Sequence, residues 1–263
     1  MARRRSSGRT AAWIAGGAGA VVLALTGYAV LSSDGEADSP AKGKGGPSAS
    51  APAKPSATYE VPQDWTEPAR WSALPRGERT DTRGSRVGYP QTTEGAVGLM
   101  AAANATAMEG GTGAVEEQLR IYHSYIGAAD KSEQNAEQIE LTALETDKAL
   151  ARQMGVTPGQ PLPAGAYLRN TVIGYKIISR APGEVSAWLL ARVVTRTGET
   201  ATESTTFTRT LAGAQWENGD WRLTGAATER ALAAVKGKPE PQQAAPGDAA
   251  FNAAGWTAIR EAS

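Results

Sequence analysis

Acid–base chemistry near neutral pH most often uses a histidine, and this chain has one, His123. It stands beside Tyr122, on the flank of an apolar stripe. Asp147 falls on the stripe of a second amphipathic segment, between Ala143 and Leu150. An imidazole and a carboxylate facing one cavity can exchange protons with a bound substrate. Tyr122, His123 and Asp147 are therefore the ligand-pocket candidates. The competing reading is structural: Asp147 at a helix edge, bonded to solvent or to an arginine such as Arg192. The structural reading is the stronger. No catalytic residue is assigned, and the chain is expected not to be an enzyme.

The residue inventory narrows the chemistry further. There are no cysteines, which excludes disulfides, thiolate metal ligands and cysteine nucleophiles. One histidine excludes a multi-histidine metal site. No glycine-rich phosphate loop or carboxylate pair stands out, so neither metal nor cofactor is expected. Lys+Arg and Asp+Glu both number 27, and a balanced chain gives no reason to expect nucleic acid, whose binding rests on clustered cations. Thr202, Thr205, Thr206, Thr208 and Thr210 read as strand formers on a half-exposed sheet.

The elements that would position these residues follow from periodicity. Thr92-Thr93 before Glu94 is a start signal, and Val97, Met100, Ala101 and Met108 recur at helical spacing up to Gly110-Gly111. Thr112 can cap a second helix, with Glu116 and Glu117 in its first turn and an apolar stripe of Val115, Leu119, Tyr122 and Ile126. The run from Asp130 to Glu133 resembles a capping box and opens a third helix, with Ile139, Ala143, Leu150 and Met154 on one face and Gly155 at its C-terminal end. After Pro163 the period becomes two. Tyr167 to Ile177, Val185 to Val193, a threonine-rich run around Phe207 and Leu211, and Trp221 continuing to Leu223 predict four sequential strands. Asn218-Gly219 between Trp216 and Trp221 is a hairpin turn. The expected fold is α+β: an N-terminal transmembrane helix, then three helices packed on a curved four-stranded antiparallel sheet over residues 91–228.

The flanks carry topology. Arg3, Arg4, Arg5 and Arg9 precede an uncharged run, Thr10–Leu31. As a helix it would be about 33 Å long, enough for a bilayer core of roughly 30 Å. The basic tail 1–9 should stay cytoplasmic and the bulk should be extracytoplasmic, giving a single-pass cell-membrane protein. A cleaved signal peptide is the alternative, with Gly27-Tyr28-Ala29 as small residues, although apolar Val30 and Leu31 follow. Residues 32–58 are a Ser/Gly/Pro/Ala/Lys linker that composition predicts to be disordered, spanning about 30 Å. Residues 59–90 read as an irregular strap containing Trp65 and Trp71. Residues 229–263 read as a tail whose Phe251, Trp256 and Ile259 either latch onto the domain or meet a partner. Trp65, Trp71, Phe251 and Trp256 are the partner-docking candidates, because aromatic anchors dominate interfaces.

Helices followed by an antiparallel meander closing on Trp216-Glu-Asn-Gly-Asp-Trp-Arg-Leu223 resemble the NTF2-like fold. With a single N-terminal anchor, the layout is similar to the VirB8-like and TcpC-like proteins of type IV secretion and conjugation systems. The Ala/Gly/Arg-rich composition and the segment Gly88–Ala96 resemble a membrane-anchored group from high-GC Gram-positive bacteria. The resemblance implies a non-enzymatic scaffold with protein partners in a membrane complex, and is compatible with a homo-oligomer. The same layout also resembles the Mce-associated membrane proteins, which would imply a small-ligand or lipid-binding domain of the envelope. An NTF2-like enzyme is the third reading, disfavoured by the sparse titratable groups.

Overall fold

The computed structural model describes residues 64–260. The chain runs β1 (Trp71–Ala73), β2 (Arg79–Thr80), β3 (Arg86–Val87), α1 (Thr93–Asn104), β4 (Thr106–Glu109), α2 (Ala114–Tyr125), a 3₁₀ turn (Ala128–Asp130), α3 (Glu133–Met154), β5 (Ala166–Ala181), β6 (Glu184–Thr197), β7 (Ser204–Glu217), β8 (Asp220–Leu223), α4 (Gly225–Val235), α5 (Ala249–Ala253) and β9 (Thr257–Arg260). The four-stranded antiparallel sheet over three helices is therefore corrected. The described residues hold five helices and a seven-stranded sheet ordered β1-β9-β5-β6-β7-β8, with β4 also on β5. The sheet is mixed, because β1 and β9 run parallel. The predicted transmembrane segment 10–31 lies outside the described residues. Among the described residues no helix is long and apolar enough to cross a membrane.

Three sheet partners escaped the periodicity for physical reasons. β1 and β9 are too short to display a period, and they lie at opposite ends of the chain. The helical spacing up to Gly110-Gly111 places the residues of β4 at the end of the first helix. That helix stops at Asn104, whose side-chain amide donates to Met100 O while its own carbonyl accepts from Asn170 Nδ2 at 2.8 Å. An asparagine that competes for backbone partners ends a helix readily. After Ala105, Thr106–Glu109 then pair with the free first half of β5.

The caps also differ in detail. Thr92 caps α1 by accepting from Gly95 N, and Ser132 rather than Asp130 caps α3 by accepting from Asn135 N. α3 ends at Gly155, in the left-handed region. Asn218 and Gly219 adopt φ of 51° and 81°, the positive values that a tight two-residue hairpin needs.

The sheet has two covered faces. Val185, Ala187, Leu189, Ala191 and Val193 of β6 point to the inner face, under α1–α3. Leu190 points to the outer face, into a cluster with Ala244, Phe251, Trp256 and Ala258. α4 also lies on the outer face, directly on the backbone of β7. A Cβ at Gly213 would stand 2.4 Å from the Ala227 carbonyl carbon, so only glycine permits this approach.

Candidate interaction surface

Asp147 has a structural partner. Gly113 precedes α2 and brings no capping side chain. Asp147 reaches across from α3 instead, accepting from Ala114 N at 2.6 Å and Val115 N at 3.4 Å. A carboxylate on the first N–H groups of a helix satisfies orphan donors and complements the helix dipole. Thr112, the expected cap, does not supply it. Asp147→Ala is expected to cost about 0.5–2 kcal/mol, the usual worth of a helix cap, with Asp147→Asn losing less. Urea unfolding of the two variants checks this; an unchanged midpoint in Asp147→Ala would refute the capping role.

His123 lies near the other end of the same helix, roughly 13 Å along the axis. Its side chain is exposed and its ring edge meets Tyr122 at 5.2 Å. Partial desolvation, with Arg83 and Lys131 nearby, holds the imidazole below its ordinary range, so it is neutral at pH 7. Tyr122 is buried, and its hydroxyl both donates to Ser132 O and accepts from Ser132 N, tying α2 to the cap of α3. The fold thus leaves His123 and Asp147 apart and joins Tyr122 to backbone. Among the described residues no group of three or more metal-ligating side chains could hold a metal ion.

The interior between sheet and helices is packed with the chain's own side chains. Leu99, Met100, Ile121, Tyr125, Ile139, Leu189 and Leu223 are all below 2% exposed. An open depression of about 420 Å³ lies instead beside the β4–β5 end, lined by Glu109, Leu162, Tyr167, Arg169 and Arg196 among others. Its charged groups already have partners: Arg169 bonds Glu109 at 2.6 Å, the Tyr167 hydroxyl bonds Glu203, and Arg196 bonds Ala201 O.

The aromatic docking candidates divide. Phe251 and Trp256 are fully buried at 0% exposure, so neither offers surface to a partner. Trp65 and Trp71 both donate to the Glu67 carboxylate, at 3.0 and 2.7 Å. Trp65 is 37% exposed and Trp71 is half-buried against the outer cluster.

A different surface is open. β8 pairs with β7 only over Ala214–Glu217, while β6 pairs with β7 on its other side in unbroken register from Ser204 to Gln215. The first half of β7 is therefore a sheet edge. The tight turn fixes which groups face outward. Glu217 pairs Asp220 across the turn, and Thr224 N donates to Gly213 O. Antiparallel hydrogen bonding alternates, so the odd-numbered residues of β7 aim their N–H and C=O away from β6. Those of Thr205, Phe207 and Arg209 have no backbone partner among the described residues. Ser204, Thr205 and Thr206 are exposed, and Phe207 to Thr210 are half-buried. Of the threonines predicted as strand formers, Thr205, Thr206, Thr208 and Thr210 line this edge and Thr202 lies before the strand, but their pattern gave no sign that the strand beyond it would be missing. Compared with known proteins, the chain matches no family model, no curated protein and no solved structure.

Proposed function

We propose that this chain is a non-enzymatic scaffold, held at the cell membrane by residues 10–31 with its folded part outside, that assembles a conjugation or secretion machine through protein–protein contacts. The observation that carries this reading is the open edge of β7 on a domain whose interior is filled. A row of unpaired backbone groups is a template for another strand, and β-strand addition is a common mode of protein recognition. The basic, then apolar, N-terminal sequence and the Ser/Gly/Pro-rich stretch after it support an anchor and a tether. The resemblance in layout to VirB8-like and TcpC-like proteins supports the type of machine.

A small-ligand or lipid-binding domain would need room between sheet and helices, where Met100, Ile121 and Leu189 are packed. The test is a photo-crosslinking residue at Thr205 of the full chain in its native membrane, followed by mass spectrometry of what is attached. Recovery of protein, either a second copy of this chain or another subunit of the machine, is expected. Recovery of lipid alone, or of nothing in cells carrying the complete machine, would overturn the scaffold reading.

A further inference from the structure

Natural sheet edges are guarded by a proline, an outward lysine, a bulge or a covering loop. Ser204-Thr-Thr-Phe-Thr-Arg-Thr210 has no proline and no lysine, and its register on β6 is unbroken. Its single charge, Arg209, is turned onto the outer face. There it bonds Pro241 O and Glu240 and lies 5.5 Å from the Trp188 ring centroid. The window is bounded on one side by the β6–β7 turn and on the other by buried Leu211. Its midpoint is Phe207.

We propose that the occupant of this edge is a second copy of the same chain, pairing β7 with β7 antiparallel about a two-fold axis through Phe207. This deepens the reading of β7 as an assembly edge and rests on it. The sequence of the window is self-complementary about that midpoint. Thr205, Phe207 and Arg209 are the outward-bonding residues, and in this register Thr205 faces Arg209 of the second copy while Phe207 faces its own equivalent. Every outward N–H and C=O in the window then finds a partner, in about six interstrand hydrogen bonds.

Between them fall the close, non-hydrogen-bonded pairs: Thr206 opposite Thr208 twice, and Ser204 opposite Thr210 twice. Cross-strand threonine pairs stabilise a sheet. On the outer face the two half-buried phenylalanines meet at the axis and lose their remaining exposure. No like charges oppose each other, because Arg209 meets Thr205. One patch thus serves both subunits, as a two-fold interface requires.

The absence of cysteine makes the register directly testable. Thr206→Cys and Thr208→Cys would place thiols on opposed residues about 4.5 Å apart between Cα atoms, within disulfide range. Full-length chains carrying each variant, coexpressed and mildly oxidised in the membrane, are expected to give a covalent dimer, and neither variant alone should do so. Thr205→Pro removes only an outward N–H, so it is expected to abolish the dimer measured by mass in detergent while leaving the melting temperature within a few degrees. A dimer linked by Thr206→Cys alone, or a wild-type chain that is monomeric in the membrane, would overturn the self-pairing. Photo-crosslinking from Thr205 to a different subunit in that monomer would overturn the second copy yet keep the assembly edge. No crosslink of either kind would sink both.

Discussion

Asp220→Ala is expected to destabilise the fold by about 2–6 kcal/mol, from the buried Gly88 and Tyr89 N–H groups losing their acceptor at roughly 1–3 kcal/mol each. Asp220 is 1% exposed. Its carboxylate accepts from Gly88 N at 2.8 Å and Tyr89 N at 2.9 Å, and also from the N–H of Trp221. Asp220 is the staple of the strap. The segment carries β2 and β3, a two-stranded hairpin outside the main sheet, and Trp221 adds a bond from its indole to Pro90 O. Gly88 and Tyr89 are both buried, so the orphaned N–H groups would find little water. Arg222, the ion-pair partner at 3.1 Å, keeps 23% of its side chain exposed and can turn to solvent, which is why no further cost is added for it. Thermal unfolding should show a fall of roughly 5–15 °C. Asp220→Asn, which keeps one acceptor oxygen, should fall in between. A loss below 0.5 kcal/mol for Asp220→Ala would show that the strap is held by other contacts.

This pair of residues shows what sequence could and could not convey. Asn218-Gly219 predicted the hairpin because the φ requirement is local, and Trp216 and Trp221 do face each other across it, with ring centroids 5.5 Å apart. The role of the intervening Asp220 was invisible, since its partners lie at Gly88 and Tyr89, far along the chain. The same division runs through the molecule. β5 to β8 were legible because each is long or turn-bounded and alternates. β1, β4 and β9 form only because a neighbouring strand leaves an edge free, so their short sequences carry no signal of their own. Asp147 was visible in the sequence as a carboxylate on an apolar stripe, but its hydrogen bonding is decided by Gly113, which lacks a capping side chain. The open edge of β7 is a property of where β8 ends, and nothing in Ser204–Thr210 encodes the length of its neighbour.

Trp256→Ala is expected to be the most damaging single truncation on the outer face, at about 3–5 kcal/mol. Trp256 has no exposed surface, packs with Leu190, Phe251 and Ala258, and donates its indole N–H to Gln242 O at 2.7 Å. Its neighbours in sequence hold the sheet margin together. Ala258 N donates to Arg70 O, Arg70 donates to Gly255 O at 2.5 Å, and β9 bridges β1 to β5. The loss should therefore be uneven. Amide exchange is expected to accelerate first in β9 and β1, which have few other partners, while β6 and the second half of β7 keep their protection under the inner core. Trp256→Phe keeps a ring in the pocket and loses the bond to Gln242, so it should cost less and leave the exchange pattern closer to that of the wild type. Uniform acceleration across all strands would mean that the outer layer and the inner core unfold as one unit. That outcome would make the C-terminal segment part of the cooperative fold itself, because Leu190 is covered only while Phe251 and Trp256 stay in place.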